Sequence, residues 1–243
     1  MVKRYKRLTY IFPNAIEVYE YLDGKYGARG APRENKKKAT KEEIKKRNQW
    51  NKEKKARNKL RTWFKENDYW VTYTYRKEDR PSGMKMAIGQ IMKALRKIRT
   101  EYKKRGYELR WMRNIEVGTK GAWHIHMVIN RIPDSDLILT KAWNYGGTHF
   151  KLLYEKGGFA DLAAYITKTP DTDSRLKESK YSTSRNIPAT EPIPERFVRW
   201  IKKPRVKKGY ELDKDSYFEG TNDFTGYKYR YYTAFKTEIH RRI

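Results

Sequence analysis

Residues 111–130 constrain the fold of this chain more than any other segment. Two stretches rich in apolar residues flank Gly118-Thr-Lys-Gly121, a turn signal, so the segment predicts a β-hairpin. Successive side chains of a strand point to opposite faces, so His124 and His126 share one face. The turn folds Glu116 back beside the two imidazoles. The hairpin therefore predicts a site with two nitrogen ligands and one oxygen ligand for a divalent cation.

The ligand types narrow the choice of cation. Carboxylate and imidazole together suit Mn²⁺ or Mg²⁺ with coordination positions left open for phosphate oxygens. The chain has no cysteine, which argues against a closed structural zinc site. An ordinary structural alternative remains for each ligand. Histidines on a strand are often hydrogen-bonded surface groups, and Glu116 could simply pair with Lys120 or Arg113.

The charge of the chain indicates a polyanionic partner. Lys and Arg number 57 against 29 Asp and Glu, a net charge of +28, and 20 Tyr, 7 Trp and 8 Phe are spread among them. Basic side chains release counterions from a phosphate backbone and aromatic rings stack on unpaired bases, which together predict a single-stranded nucleic-acid partner. A highly charged protein with another role, such as a ribosome-associated factor, has the same composition.

Length and hydropathy set the broad class. A chain of 243 residues without cysteine is long enough for one main hydrophobic core with a small appended segment. No apolar run reaches the roughly 20 residues of a membrane span, and the basic N-terminus lacks the apolar core of a signal peptide. We therefore expect a cytoplasmic protein with no membrane partner. The sequence has no Gly-x-x-x-x-Gly-Lys-Ser/Thr loop, so no nucleotide cofactor is expected.

The spacing of apolar residues predicts an α+β domain. Residues 69–75 alternate β-branched and aromatic side chains, which predicts a strand with Thr72 and Thr74 on one face. Helices are predicted for residues 40–65, 84–105 and 159–168, and further strands for residues 149–154 and 227–235. This order of elements is typical of an antiparallel sheet with helices packed on one face.

Composition divides the chain into three parts. Residues 1–66 hold a short strand or arm followed by a lysine-rich helix, whose basic face lies either in solvent or on DNA. Residues 67–170 hold the core with the candidate chemistry. Residues 171–243 form an extension of loops with one final strand, which we expect to pack on the core.

A second candidate group follows the histidines. On a helix Tyr165 and Lys168 occupy positions i and i+3, so the phenol and the ammonium share a face. A tyrosine oxygen that attacks a phosphodiester forms a covalent phosphotyrosine, and that reaction needs a metal and a cation to offset the phosphate charge. Because the chain has 20 tyrosines, a tyrosine that only packs is the more ordinary interpretation of this motif taken alone.

Taken in order, these motifs closely resemble those of the HUH endonuclease superfamily, specifically the single-tyrosine rolling-circle replication initiators of bacterial plasmids and phages. The strand around Thr72, then Glu116 with His124-Ile125-His126, then Tyr165-x-x-Lys168 correspond to the three family motifs. The resemblance covers about residues 40–205. Its supporting flanks are the lysine-rich helix that runs into residues 63–75, Arg80-Pro81, residues 143–147 and residues 181–186.

The resemblance implies an RRM-like or ferredoxin-like antiparallel sheet with the two histidines on a central strand. It assigns Glu116, His124 and His126 to a Mn²⁺ or Mg²⁺ ion, Tyr165 to the role of nucleophile, and Lys168 to the phosphate. The implied reaction nicks single-stranded or hairpin origin DNA, leaves a 5′-phosphotyrosine and a free 3′-OH, and rejoins strands by the reverse step. No ATP is consumed.

The family's first-motif strand supports the active site, so its residues are candidates for contact with DNA. Thr72 and Thr74 lie on that strand, and Arg80 follows it. A non-catalytic RRM-like binder of single-stranded nucleic acid is the rival from another class, and its stacking rings would be Tyr73, Tyr75 and Trp123.

Two departures from the family pattern affect the expected mechanism. Many initiators carry a second catalytic tyrosine one turn away, but positions 161 and 169 are Asp and Thr. Termination would then need another turnover, another subunit or a different tyrosine. Because a fused helicase domain is missing, a host helicase is an implied partner together with the host polymerase. A single-tyrosine transposase uses similar motifs and remains an alternative, whereas a conjugative relaxase normally carries its tyrosine ahead of the histidines.

Overall fold

The computed structural model describes residues 5–23, 40–118, 121–154, 159–167, 181–221 and 227–237. The chain forms two compact units, a core unit of residues 45–189 and a terminal unit of residues 1–44 and 190–243. This division by packing joins the two chain ends in one unit, whereas the sequence interpretation assigned them to separate segments.

The elements follow one another along both units, and the described ranges hold these strands and helices. They are β1 (Tyr5–Ile11), β2 (Ala15–Leu22), α1 (Lys41–Trp63), β3 (Tyr69–Thr74), a 3-10 turn (Lys77–Asp79), α2 (Met84–Lys104), β4 (Trp111–Val117), β5 (Trp123–Ile129), α3 (Ser135–Ala142), β6 (Thr148–Leu152), α4 (Ala160–Thr167), β7 (Ser182–Thr183), β8 (Ile193–Phe197), β9 (Tyr210–Leu212), β10 (Phe218–Thr221) and β11 (Lys228–Lys236). Within these ranges none of the helices is both long and apolar enough to cross a bilayer.

The core unit is built on a five-stranded antiparallel sheet in the order β6-β3-β5-β4-β7. Strand β5, which carries the two histidines, lies at the centre of this order. The mixed α+β class predicted from the sequence is confirmed. The arrangement is compatible with an RRM-like or ferredoxin-like fold.

Helices cover both faces of this sheet. The odd-numbered residues of β3, among them Val71 and Tyr73, are buried in one hydrophobic cluster with α2 and α3. Helix α2 contributes a stripe at helical spacing that includes Ala87, Ile91 and Ile98. The opposite face carries a second cluster, formed by Leu60, Phe64, Met112, Val128, Ala163 and Ile166, that seats the end of α1 and α4. The structure thus adds two helices on the face that the sequence interpretation left open.

Local sequence signals fix the ends of the two long helices. Thr40 and Glu43 form a capping box, in which the Glu43 amide donates to Thr40 Oγ1 at 3.1 Å and the Thr40 amide donates to Glu43 Oε2 at 2.8 Å. Gly106 follows α2 with φ of +78°, a left-handed conformation that ends helices. Both ends lie close to where the sequence predicted them.

The terminal unit holds a second antiparallel sheet, with β10-β11-β2-β1-β8 in order and β9 paired to β11. The sequence predicted the last strand and a short strand near the N-terminus. Strands β8, β9 and β10 were interpreted as loops, and that interpretation was wrong. These strands are three to five residues long, and their residues alternate too weakly to separate them from turns.

A close backbone approach fixes the chain beside β3. The indole Nε1 of Trp143 donates to Thr74 O at 2.9 Å, and the Arg76 amide donates to Tyr145 O at 2.8 Å. A Cβ built on Gly146 would lie 2.2 Å from Thr74 O and 2.8 Å from Tyr75 Cα. Since backbone atoms cannot give way as a flexible side chain does, only glycine fits there.

We predict that Gly146→Ala lowers the free energy of unfolding by at least about 2 kcal/mol, because the segment must move away from β3. Gly89→Ala is the matched control, since Gly89 lies inside α2 with nothing within 4 Å of the new Cβ. That control should gain about 0.5–1 kcal/mol of stability. Denaturant unfolding of both variants measures the difference, and equal stability of the two would contradict the close approach.

Candidate active site

The pairing of β4 with β5 builds the centre of the site. Glu116 lies directly opposite His124, and Asn114 lies directly opposite His126. All four side chains therefore stand on one face of the sheet. The connecting turn is closed by the Gly118 amide donating to Ala122 O and the Gly121 amide donating to Gly118 O, each at 2.8 Å. The structure thus brings together the carboxylate and the two imidazoles that the sequence proposed as ligands.

Helix α4 adds a phenol to this face. Tyr165 Oη lies 3.3 Å from Glu116 Oε2 and 3.4 Å from His126 Nε2. His126 Nε2 in turn lies 3.4 Å from Glu116 Oε2. These three atoms form a nearly equilateral triangle. The ring of Tyr165 is 42% exposed, so its hydroxyl is accessible beside two groups with lone pairs.

Neighbouring polar side chains orient the carboxylate and the imidazole. Asn114 Nδ2 donates to Glu116 Oε1 at 3.2 Å, which turns Oε2 toward Tyr165. Thr72 Oγ1 lies 3.1 Å from His126 Nδ1. We assign the imidazole proton to Nδ1, because Nε2 faces the phenol, a donor. Thr72 then accepts from Nδ1, and the Nε2 lone pair is directed into the site.

An indole ring holds both catalytic candidates from the side. Trp70 stacks on His126 with ring centroids 5.4 Å apart and an interplanar angle of 12°. It also contacts Tyr165 edge-on, with centroids 5.6 Å apart. The sequence interpretation missed Trp70, although the alternation along residues 69–75 places it on the same face as Thr72 and Thr74. The missing information was which face of β3 carries the site.

The pKa values of the site follow from burial and neighbouring charge. Burial, together with the adjacent Glu116 carboxylate, raises the pKa of Tyr165 to about 12. The phenol is therefore protonated near neutral pH and needs an acceptor for its proton before it can act as a nucleophile. Burial, followed by the neighbouring His126, lowers the pKa of His124. His124 is thus kept neutral, the form that binds a metal ion.

The donor atoms fit a divalent cation. Neighbouring ligand atoms around an octahedral ion with bonds of about 2.1 Å lie about 3.0 Å apart, close to the 3.4 Å between His126 Nε2 and Glu116 Oε2. Carboxylate oxygen and imidazole nitrogen are both ligands that Mn²⁺ accepts. As the described side chains stand, no three His, Cys, Asp or Glu groups already surround a metal position. A small contraction of the triangle, with His124 turned toward it, would complete a ligand set.

Several predicted site residues lie elsewhere. Tyr73, Tyr75 and Trp123 are buried in the core beneath α2, with 0%, 8% and 2% of their surface exposed. The proposal that these rings stack on bases is therefore wrong, since their faces are covered by protein. Thr74 lies beside the site, where its hydroxyl accepts from the Gly147 amide at 3.1 Å. Arg80 is exposed and close enough to His124 to disfavour its charged form. Lys168 lies outside the described residues.

A third imidazole shares the active face. His149 on β6 lies opposite Thr72, which lies opposite His126 on the other side of β3. The His149 side chain is exposed. The sequence predicted the strand that carries it but gave no indication of its neighbours. The polar face therefore extends across β6, β3, β5 and β4.

The lysine-rich helix α1 contributes structural contacts. Lys52 Nζ donates to Thr167 O at 3.1 Å, at the end of α4 where carbonyl groups lack helical partners. Lys59 Nζ donates to Thr183 Oγ1 at 3.0 Å. Burial lowers the pKa of both lysines. Two of the basic groups that the sequence left open between solvent and DNA thus brace α4 and β7.

Comparison with known proteins is consistent with this geometry. Residues 68–170 match a family model described as replication-associated protein ORF2. The matched segment contains Glu116, His124, His126 and Tyr165, and it supports a role in DNA replication. Neither the curated proteins nor the solved structures gave a match.

We predict that Thr72→Val changes the tautomer of His126. Loss of one neutral hydrogen bond should lower the ratio of Nδ1-protonated to Nε2-protonated imidazole about two- to tenfold. Imidazole ¹⁵N chemical shifts measure this ratio. Thr74→Val on the same face is the control and should leave His126 unchanged. An unaltered tautomer ratio in Thr72→Val would show that the hydroxyl does not orient the ring.

Proposed function

We propose that this protein is a rolling-circle replication initiator that nicks and rejoins single-stranded or hairpin origin DNA through a phosphotyrosine. The observation that supports it most is the convergence of Tyr165 with Glu116 and His126 within 3.4 Å. The family match over residues 68–170 supports a replication role. A solitary packing tyrosine would have no reason to contact both proposed ligands.

In the proposed reaction, Tyr165 Oη attacks the phosphorus of the scissile phosphodiester. The new P–O bond links the phenol to the 5′ phosphate, the P–O3′ bond breaks, and the 3′ oxygen takes up a proton and leaves as a primer hydroxyl. The phenol proton has Glu116 Oε2 and His126 Nε2 as its nearest acceptors among the described residues. Rejoining reverses these steps, with a 3′-OH attacking the phosphotyrosine. Since one ester replaces another, no nucleotide is consumed.

Glu116, His124 and His126 are the residues that would hold Mn²⁺ or Mg²⁺. Such an ion, when bound, would polarise the phosphate and offset the charge of the transition state. The residues of the chain have their own parts in the step. Trp70 and Thr72 hold the His126 ring in place, and Asn114 holds the carboxylate. Lys168 is proposed to neutralise phosphate charge, as the resemblance implies.

The alternatives differ in what the geometry offers them. A non-catalytic RRM-like binder was expected to use Tyr73, Tyr75 and Trp123, and their burial removes the feature that favoured it. A single-tyrosine transposase would use the same chemistry on transposon ends. The replication family match favours the initiator. Host helicase and polymerase are the proposed partners, and the proposed location is the bacterial cytoplasm.

We predict that the protein forms a covalent adduct with single-stranded DNA. Wild-type protein incubated with Mn²⁺ and a labelled library of single-stranded origins should give a band that survives denaturation, and Tyr165→Phe should give none, because the nucleophilic oxygen is missing. Tyr154→Phe, at a tyrosine that is 71% exposed, is the control and should react as wild type. Sequencing the adduct then identifies the cut site. An equal adduct in Tyr165→Phe would disprove the nucleophile assignment.

We also predict that Glu116→Gln and His126→Ala weaken Mn²⁺ binding in the absence of DNA. Loss of a ligand should raise the dissociation constant at least about tenfold, since even indirect partners of ligands contribute that much. Electron paramagnetic resonance of free Mn²⁺ measures it without any nicking. DNA affinity should stay near wild type because the charge of +28 dominates it. His149→Gln is the control on the same face, and wild-type affinity in Glu116→Gln would exclude the ligand set.

A further inference from the structure

A continuous row of aromatic rings crosses one face of the terminal-unit sheet. Its neighbouring centroids lie 5.7 Å apart between Tyr229 and Phe218, 5.3 Å between Phe218 and Tyr231, 5.9 Å between Tyr231 and Tyr19, and 5.8 Å between Tyr19 and Tyr10. The row runs over β10, β11, β2 and β1. We call these five rings the ring row.

The other face of this sheet is the one that the unit buries. Val18, Tyr232 and Ala234 are at most 2% exposed there. A chain segment after β8 covers them, since Arg230 Nη1 donates to Ile201 O at 2.8 Å and Tyr232 Oη donates to Arg205 O at 2.9 Å. The core of the sheet is thus satisfied without the ring row, and cross-strand stabilisation alone does not require exposed rings.

The ring row departs from the usual pattern of an antiparallel sheet. One face normally packs on the core and the other carries polar residues. Here the second face carries aromatic rings, of which Phe218 is 42% exposed and Tyr229 and Tyr231 are partly exposed. Adjacent exposed aromatic groups of this kind mark binding surfaces.

A glycine lets two of the rings lie over the strand. A Cβ built on Gly220 would lie 3.0 Å from Phe218 Cε1 and 3.3 Å from Tyr229 Cζ. The rings therefore occupy the space that a side chain at position 220 would fill. Rings that lie over a sheet present a π face to solvent, as in sheets that stack on nucleic-acid bases.

The charge beside the ring row is positive. The next rung of the same face holds Tyr21, with Lys6 opposite it and Arg196 opposite Lys6. The acidic residues of these strands are placed where they do not repel an anion. Glu20 lies on the opposite face against Arg230, and Glu17 is only 2% exposed. Aromatic faces flanked by cations match unpaired bases joined by phosphates.

We propose that the ring row, with Lys6 beside it, binds single-stranded DNA by base stacking without sequence preference. This site is separate from the nicking chemistry and adds a function to the terminal unit. The phenol and phenyl faces stack on bases, and the ammonium contacts the phosphate backbone.

The test uses the full chain with Tyr165→Phe, so that no covalent adduct forms. Fluorescence anisotropy measures binding to an oligo-dT of about 20 nucleotides and to an abasic strand of equal length, which has phosphates but no bases. Phe218→Leu combined with Tyr229→Leu should weaken dT binding about tenfold and leave abasic binding unchanged. The salt dependence should also stay the same, because the rings release no counterions.

Tyr210→Leu is the matched control, since Tyr210 pairs with Lys236 on the opposite face of the same sheet. It should bind both strands as the parent does, and thermal unfolding midpoints check that each variant is folded. A second probe, ultraviolet cross-linking of an oligonucleotide with 5-iododeoxyuridine, should label tryptic peptides 215–228 and 231–236.

Three results would overturn the proposal. The first is unchanged dT binding in the double variant, and the second is an equal loss for dT and abasic strands. The third is a parent dimer that the double variant breaks, which would assign the ring row to contact between copies of the chain. Nicking is assayed separately with Tyr165 intact, so failure of the initiator proposal and failure of this one are distinguishable.

Discussion

The register between β4 and β5 is the constraint on which the candidate site depends. Glu116 meets His124 only because Ile115 lies opposite Ile125, and both isoleucines have no exposed surface. A slip of one residue would turn these apolar side chains to the other face and separate the ligands. Each such side chain contributes about 1.5–3 kcal/mol when buried. The hydrophobic pattern thus holds the polar groups in place, although no polar contact is strong enough to do so alone.

The same face changes character along its strands, and this change positions the nucleophile. Met112 and Val128 have no exposed surface and seat the apolar side of α4, including Ile166. Toward the other end the positions become Asn114 and Glu116 on β4, and His126 and His124 on β5. A helix anchored on the apolar end therefore projects Tyr165, the residue beside its buried Ile166, over the polar end. Packing and chemistry share one surface without competing for it.

Sequence reasoning could find the hairpin and the nucleophile because their signals are local. The alternation of residues 69–75 and the turn at Gly118 are read directly from neighbours in the chain. It failed at Tyr73 and Tyr75, since a tyrosine suits both a core and a stacking surface and alternation does not say which face is covered. His149 was missed because its meeting with Thr72 depends on distant pairing. The second sheet was missed for the same reason: Arg196 and Asp23 are 173 positions apart.

Covalent capture and stacking supply different needs of the proposed reaction. After attack by Tyr165 the 5′ end is held by a bond, but the 3′ end is held only by noncovalent contacts. Attraction to the charge of +28 weakens steeply with salt, because it rests on counterion release. Base stacking on rings such as Phe218 and Tyr229 does not depend on counterions and tolerates any sequence. A second contact on the same chain also raises the effective concentration of the strand at the first. A stacking surface therefore gives a highly basic nickase a hold on unpaired DNA that salt does not remove.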